Sequence, residues 1–300
     1  MRQSTYQYQQ EENGNLIAIN ERTGEITGAT TLIVPFGTRV YTPEDQERYR
    51  QKKETEQKKE LRKAANKALG RFYFVENEAD FSGLSPATIT RLIFLGTFAH
   101  YDGQLMRTER TLMKRRDLPA VLGISKAAVS KFWQEVSPNL LIEKNGNLII
   151  PSDSPIRKGK IASIKGHSWR KFYIDAVRAL YRQTDKSQHK HLAYIFALLP
   201  HINIEFNIVC HNIQECNLDA IESMTLSEFC AAIGYDSGNF NRLLAIYREL
   251  RFSVGDHLER FVSFVYDGLD RSQARIFVNP HVLYSGTNYK QVEILGSFCK

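Results

Sequence analysis

The sequence predicts an α+β fold, mainly α, because apolar residues recur at helical spacing through most of the chain and short strand-like runs with turn residues follow them. Residues 116–151 and 225–280 show the same order of helix, glycine turn, helix and strands. A highly charged helical run precedes both, between Thr42 and Gly70. We therefore expect tandem winged helix-turn-helix domains, preceded by an N-terminal β-hairpin and a charged helix.

Three hundred residues are enough for two or three domains, each with its own core. We place the N-terminal tail, hairpin and charged helix in residues 1–70, the first winged helix-turn-helix domain in 71–172 and the second in 173–300. The composition, 42% hydrophobic and 24% charged, is that of a globular protein without a membrane-spanning run. Since the N-terminus is polar and lacks the apolar core of a signal peptide, we expect a cytoplasmic protein.

The N-terminal part is predicted to be a disordered tail, a small hairpin and one helix. Residues 1–14 are polar without periodicity, whereas residues 16–19 and 25–26 flank the turn residues 22–24, and residues 31–34 form a third apolar run. Thr42 and Pro43 are strong signals for the start of a helix that ends at Gly70. That helix carries mixed charges and few apolar residues, so we favour a solvated spacer over a basic arm on DNA.

The first winged unit is expected to begin with a strand at residues 71–75 and a long buried helix at 85–106. In the helix-turn-helix proper, Gly123 makes the turn and Ser125 caps the second helix. Asn145-Gly146 is a strong hairpin signal, because both positions of a type I′ turn need positive φ. The alternative is an ordinary helix pair followed by a hairpin.

Charge is concentrated in this first unit. Residues 106–172 contain fourteen Lys or Arg against five Asp or Glu, whereas residues 185–300 contain ten against thirteen, in a chain of net charge +7. Basic residues among glycines and serines at 157–171, Arg170 and Lys171 included, would neutralise phosphates. The first unit therefore has the charge expected of a surface that meets nucleic acid.

The second unit is expected to follow a long helix at residues 170–185 and an apolar helix at 191–199. Thr225 and Glu228 form a capping box, Gly234 makes the turn, and strands at 261–266 and 274–278 follow, separated by residues 267–270. Polar residues at the start of its second helix suit base edges. Because the surroundings are acidic, packing or dimerisation is an equal alternative.

The residues expected to contact DNA belong to both units. They are Ser125, Lys126, Ser130, Lys131, Lys144, Asn145, Arg157, Lys158, Lys160, Lys165, Ser237, Asn239, Asn241 and Arg242.

No catalytic or cofactor motif accompanies these residues. The four cysteines lack the close paired spacing of zinc sites, so we expect reduced thiols and no metal or cofactor. His189 and His191 flank a lysine without a supporting acidic cluster, and the chain has no phosphate-binding loop of the P-loop type. None of the fourteen tyrosines has a recognisable base or oxyanion partner. We therefore expect a protein that binds DNA and is not an enzyme.

Several short motifs resemble a known family. They are NxRTGEI at residues 20–26, RFYFV, ATITRLIFLGTF, ALLPHINIEFNIVCHN, TLSEFCAAIGYDSGNFNRL and RIFVNPHVLYSGTNY. Together they resemble the replication-associated winged-helix proteins of Firmicute plasmids and phages, including the RepL type. The tandem architecture is also similar to that of iteron-binding plasmid initiators, in which two winged-helix units share DNA binding and dimerisation. The resemblance implies binding at a replication origin and recruitment of host replication proteins, a helicase or its loader.

Two function classes remain open from the sequence. The first is a plasmid or phage replication initiator, which binds repeated sites in double-stranded DNA. The second is a winged-helix transcriptional regulator, such as a repressor of a phage or mobile element, which binds a palindrome as a homodimer. The size of the chain favours the initiator, because one winged helix and a dimerisation helix suffice for a simple regulator. A DNA-bridging segregation protein is a third, weaker possibility.

Overall fold

A computed structural model describes residues 6–10, 16–20, 22–24, 26–28, 43–159, 161, 168–266 and 274–298. It has an α+β fold of helices and small antiparallel sheets, which confirms the predicted class at that level. The chain divides into two compact units, Met1–Leu61 and Arg62–Lys300. No helix in the described ranges is long and apolar enough to cross a membrane.

The first unit contains a three-stranded antiparallel sheet in the order β1 (Tyr6–Gln10), β2 (Leu16–Asn20) and β3 (Ile26–Gly28). The β2–β3 turn is closed by the Asn20 side chain, whose Oδ1 accepts from the Arg22 amide at 3.0 Å. The predicted hairpin is therefore confirmed. The prediction of disorder for residues 1–14 is wrong at β1, because strand pairing satisfies the backbone whatever the side-chain polarity. The third predicted run, residues 31–34, lies outside the described residues.

The charged helix α1 runs from Pro43 to Leu69, close to its predicted bounds. Acidic residues in the first turn and Lys67 in the last suit the helix dipole. Exposed pairs at i,i+3 spacing, such as Arg50 with Glu47 at 2.5 Å, run along its surface. Its predicted capping residue, Thr42, is not among the described residues.

In its described part, the second unit contains twenty α-helices and strands from Phe72 onward. In chain order they are β4 (Phe72–Glu76), α2 (Pro86–Gly96), β5 (Met106–Thr108), β6 (Thr111–Leu112), α3 (Leu118–Leu122), α4 (Lys126–Val136), β7 (Ile142–Lys144), β8 (Asn147–Ile149), β9 (Ile156–Arg157), β10 (Trp169–Tyr173), α5 (Ile174–Gln183), α6 (His189–Ala197), α7 (Leu226–Ala232), α8 (Phe240–Glu249), β11 (Arg251–Val254), β12 (His257–Arg260), β13 (Val262–Val265), β14 (Arg275–Val278), β15 (Leu283–Tyr284) and α9 (Tyr289–Gly296).

The largest sheet of this unit joins distant parts of the sequence in the order β15-β10-β4-β9. Tyr173 of β10 pairs with Phe72 of β4, and Phe172 pairs with Leu283 of β15. The predicted long helix at 170–185 is thus wrong in its first part, because residues 169–173 form a strand and the helix begins only at Ile174. Residues 169–173 form a strand rather than a helix because the strand pairs with a neighbour on each side, which satisfies its backbone hydrogen bonds and buries alternate side chains.

Helix α2 is shorter than predicted and ends at Gly96 rather than near residue 106. A β-carbon at Gly96 would lie 2.5 Å from the Tyr73 ring, so glycine lets the helix end approach β4. Beyond it, Ala99 pairs with Leu105 in an isolated bridge. The chain therefore turns back before the β5–β6 hairpin.

The larger of two hydrophobic clusters in the described part of this unit extends across residue 172, where the sequence predicted a domain boundary. Phe94 of α2 stacks on Tyr181 of α5 with ring centroids 3.9 Å apart and planes inclined by 9°. Helix α2 also packs along α6. The two predicted winged units thus share a core and a sheet.

After α8 the structure has two hairpins where the sequence predicted one. The predicted strands at 261–266 and 274–278 are present as β13 and β14, and the predicted turn at 267–270 lies outside the described residues. Between α8 and β13, β11 and β12 form an additional hairpin turned at Gly255, whose φ is +64°. The Gly-Asp pair between two strand-like runs was the available signal for it.

Candidate nucleic-acid interface

The region predicted as the first helix-turn-helix consists of α3, a tight turn and α4. Gly123 ends α3 in the left-handed region, with φ 61° and ψ 36°, which glycine adopts without steric strain. Ser125 caps α4, because its Oγ accepts from the Ala128 amide at 3.2 Å. Both roles were predicted from the sequence and are confirmed.

Two side chains that lie outside α3 and α4 also hold this turn in place, and neither was predicted from the sequence. Tyr181 of α5 donates its hydroxyl to the Leu122 carbonyl at 3.0 Å, and Lys186 donates to the Gly123 carbonyl. These carbonyls end α3 and have no partner within the helix. The position of the turn thus depends on a helix more than fifty residues away in the sequence.

Helix α4 has a buried face and an exposed one. Val129, Phe132 and Val136 are buried. Lys126, Ser130 and Lys131 are exposed, as the spacing predicted, while Ala128 is only half-buried. Ser130 Oγ donates back to the Lys126 carbonyl at 3.2 Å, which leaves its lone pairs open to a donor.

The hairpin β7–β8 follows α4 and turns at Asn145 and Gly146. Their φ values, 53° and 72°, are both positive, as a type I′ turn requires. Lys144 and Asn145 are exposed at its tip. The Leu148 amide donates to the Met113 carbonyl at 2.9 Å, which fixes β8 to the chain before α3. The predicted hairpin is confirmed, and its tip carries one positive charge.

Two acidic side chains of this basic region are occupied by internal partners. Asp117 accepts from the Arg107 guanidinium at 3.2 Å and from the Lys114 amide at 2.9 Å. Glu135 accepts from the Ser85 amide at 2.8 Å. Within the described ranges, Lys126 and Lys144 have no carboxylate within 4.0 Å. These two lysines, one on α4 and one at the hairpin tip, are therefore left without a local counterion.

Glu135 links α4 to the start of α2. Burial raises the pKa of its carboxyl, but hydrogen bonds from Ser85 outweigh burial, with a smaller effect of Lys131, and the pKa is lowered overall. The carboxylate thus accepts from the N-cap amide, as the N3 glutamate of a capping box does, while the Ser85 hydroxyl makes no capping bond to the α2 backbone.

Replacing Glu135 with alanine is expected to destabilise the protein by about 1–2 kcal/mol, because the Ser85 amide and hydroxyl lose a charged acceptor. The measurement is the urea midpoint followed by circular dichroism. Glu143→Ala, at an exposed position of β7, is the control and should change stability by less than about 0.5 kcal/mol. Equal midpoints for the two variants would show that Glu135 does not cap α2.

The basic segment after the hairpin is less open than the sequence suggested. Arg157 and Lys158 are half-buried, and Lys160 and Lys165 lie outside the described residues. Arg170 is 0% exposed, so its expected contact with phosphate is wrong. Lys171 donates to Asn66 Oδ1 at 2.8 Å and is half-buried. Pairing of β10 with its neighbours in the sheet turns these last two side chains into structural groups.

The region predicted as the second helix-turn-helix has the expected capping box and turn. The Thr225 amide donates to Glu228 at 2.8 Å, and Gly234 has φ +65°. Ser237 and Asn239 lie in a 3-10 turn that precedes α8 rather than in the helix itself. Asp236 accepts from the Asn239 side chain at 2.7 Å. A carboxylate thus stands next to the residues predicted to read bases.

The remaining predicted residues of this region, Asn241 and Arg242, are exposed on α8. Asn241 and Ser237 line a cavity of about 630 Å³ with Phe240 and Arg248. The predicted site residues therefore form separate groups, one on α4 and its hairpin, one at the edge of the sheet and one on α8. Comparison of the chain with protein-family models, curated proteins and solved structures finds no match.

Proposed function

We propose that the chain is a sequence-specific double-stranded DNA-binding protein and not an enzyme. The observation that carries the proposal is the exposed face of α4, where Lys126, Ser130 and Lys131 lie next to a turn held rigidly from outside. A helix of this kind fits the major groove, where its N-terminal residues reach base edges. The hairpin β7–β8 would act as the wing, with Lys144 and Asn145 against the backbone.

The second helix pair is proposed as a second winged helix-turn-helix, which makes the architecture tandem. Helices α7 and α8 with the hairpin β11–β12 repeat the element order of α3, α4 and the hairpin β7–β8. Three of its four predicted DNA-contact residues, Ser237, Asn239 and Asn241, carry amides or hydroxyls, which suit base edges more than phosphates. We assign phosphate contact to the first unit and a role in base reading or dimerisation to the second.

We propose replication initiation at a plasmid or phage origin as the biological role. The sequence motifs that resemble replication-associated proteins support it, together with the repeated element order. The proposal implies a cytoplasmic protein that binds origin repeats as a homodimer or in tandem and contacts a host helicase or its loader. Footprinting on the DNA beside its gene tests this: protection of direct repeats is expected, and a single promoter palindrome would favour a transcriptional regulator.

The double variant Lys126→Ala/Lys131→Ala is expected to weaken binding to duplex DNA and to flatten its salt dependence. Each lost phosphate contact reduces the slope of log K against log salt by about 0.9. The measurement is fluorescence anisotropy with a duplex of about 20 base pairs between about 0.05 and 0.2 M salt.

The control for this experiment removes two other exposed lysines, Lys190 and Lys290, so that the net charge is matched. It should keep both the affinity and the slope close to the wild-type values. If both double variants lose affinity to the same extent, binding follows net charge and α4 is not the contact surface.

A further inference from the structure

The outer face of the large sheet carries aromatic and basic side chains side by side. Along β4, Tyr73 and Val75 are buried, whereas Phe72 and Phe74 lie on the other, half-buried face. The two rings meet edge to face with centroids 5.2 Å apart. Phe74 pairs across the sheet with Arg157 of β9. Residues directly opposite each other in a sheet share a face, so this guanidinium belongs to the same surface.

A pocket of about 410 Å³ opens on this face. It is lined by Arg71, Phe72, Phe74, Tyr101, Lys158 and Gly159. Its size falls within the range of small-ligand sites, roughly 300–1,000 Å³. Its chemistry combines three aromatic rings with two cations.

The Tyr101 side chain is exposed, whereas its backbone is held in a hydrogen-bonded turn. Its side chain is 70% exposed. The turn that carries it is closed by a bond from the His100 amide to the Gln104 carbonyl at 2.8 Å, and the Ile150 amide donates to Gly103 at 2.8 Å. The ring is therefore presented on a rigid turn, next to the end of the β7–β8 hairpin.

Gly159 lets this ring lie against the opposite wall. Its φ is +99°, and a β-carbon there would come within 2.6 Å of the Tyr101 ring. The Lys158 ammonium lies 5.9 Å from the centre of the same ring. The pocket thus places a cation beside an exposed aromatic face.

The basic side chains of the pocket are not fully neutralised by acidic side chains nearby. Burial, with the nearby positive charges of Arg71 and Arg178, lowers the pKa of Lys158. Arg71 pairs with Asp175 at 3.6 Å, and both side chains are exposed, so the pair is weak. Within the described part of the chain, Lys158 has no carboxylate within 4.0 Å. An anionic group would relieve this repulsion.

We propose that this pocket binds an unpaired nucleotide of single-stranded DNA, with the base against Tyr101 and the phosphate at Lys158. Aromatic rings that stack bases, set among cations that follow the backbone, are the common way of holding single strands without sequence preference. The inference goes beyond the proposed duplex binding and does not depend on it, because none of the pocket residues lies on α4.

The test measures binding of the full chain to oligothymidylate of about 16 nucleotides and, separately, to duplex DNA. Tyr101→Ala is expected to weaken binding to the single strand by about tenfold or more and to leave duplex binding unchanged. Tyr101→Phe should bind as the wild type does, because stacking needs the ring and not the hydroxyl. Lys158→Ala should also weaken single-strand binding and reduce its salt dependence.

The matched control is Tyr49→Ala, since Tyr49 is 67% exposed on α1. The affinity of Tyr49→Ala for the single strand should equal that of the wild type. Unchanged affinity in both Tyr101→Ala and Lys158→Ala overturns the proposal, as does an equal loss in Tyr101→Phe. A Tyr101→Ala variant that alters only the oligomeric state, seen by light scattering, also overturns it in favour of a contact between two copies. Absence of duplex binding by the wild type would instead contradict the proposed function alone.

Discussion

Replacing Arg170 with alanine is expected to destabilise the protein by about 3–5 kcal/mol, because truncation leaves buried acceptors without a donor and opens a cavity. The side chain is 0% exposed, and burial lowers the pKa of its guanidinium to about 10, so the group is still charged at neutral pH. It has no carboxylate partner within 4.0 Å among the described residues. Its hydrogen bonds go to neutral acceptors, and the more distant charge of Glu78 also favours the protonated guanidinium.

Those acceptors come from two separate parts of the chain, Asn77 after β4 and the turn at residues 202–207. Nε donates to Asn77 Oδ1 at 3.1 Å, and Nη2 donates to the Ile202 carbonyl at 2.6 Å. Nη1 donates to Asn207 Oδ1 at 3.1 Å and to the Asn203 carbonyl at 3.3 Å. Truncation would leave three of these buried acceptors unpaired and open a cavity, while the Asn203 carbonyl would keep its bond from the Asn207 amide at 3.2 Å.

The measurement is urea unfolding followed by circular dichroism, with the midpoint and the slope fitted together. Arg170→Lys should fall between wild type and alanine, because an ammonium cannot reach acceptors spread around a planar fork. Arg116→Ala, at an exposed position, is the control and should stay within about 0.5 kcal/mol of wild type. A loss below 1 kcal/mol for Arg170→Ala would contradict the structural role.

Arg170 also shows where inference from the sequence stops. It was counted with the basic surface because it stands among lysines and glycines, and nothing in those neighbours indicates burial. The partners that bury it lie about thirty or more residues away on one side and about ninety on the other. Pairing of β10 between β4 and β15 depends on such distant contacts, which local patterns do not encode.

Features fixed by neighbouring residues were predicted well. The left-handed Gly123, the Ser125 cap and the Asn145-Gly146 turn each depend on the conformational preference of one or two residues. The Thr225–Glu228 capping box belongs to the same class. The exposed face of α4 followed from helical periodicity. The aromatic pocket was not predicted from the sequence, because its walls come from β4, the turn at Tyr101 and the chain after β9.

The motif RIFVNPHVLYSGTNY illustrates a third case, in which a conspicuous motif has a structural role. Asn279 donates to Glu259 at 2.9 Å, and His281 lies between two carboxylates. Its Nδ1 is 2.7 Å from Glu259 and its Nε2 is 2.6 Å from Glu293 of α9. The histidine therefore joins β12 and α9.

The free energy of unfolding is expected to fall by about 3 kcal/mol at most as the pH rises from about 6.5 through about 9, because of His281. Burial alone would lower the pKa of this histidine, but hydrogen bonds to Glu259 and Glu293 outweigh burial and raise the pKa to about 9 from an ordinary 6.5. The folded protein thus keeps a proton that the unfolded chain has released. Stability from this group is complete below pH 6.5 and is lost above about 9.

The experiment measures urea unfolding at several pH values between 6 and 9.5 for wild type and for His281→Asn, where the difference between the two reports this group. Wild type should lose stability with rising pH, whereas the variant should start lower and stay nearly flat. His100→Asn is the control, because His100 pairs with Asp102 at an exposed site and should keep the wild-type slope.

Other groups add to the pH dependence but act outside this window. Burial raises the pKa of the Cys210 thiol to about 11 from 9, so its effect begins only above pH 9. Burial opposes ionisation of Glu259, yet bonds from His281 and Asn279 lower the pKa of its carboxyl, which moves its effect into the acid range. Parallel curves for wild type and His281→Asn between pH 6.5 and 9 would therefore mean that His281 does not hold its proton between the two carboxylates.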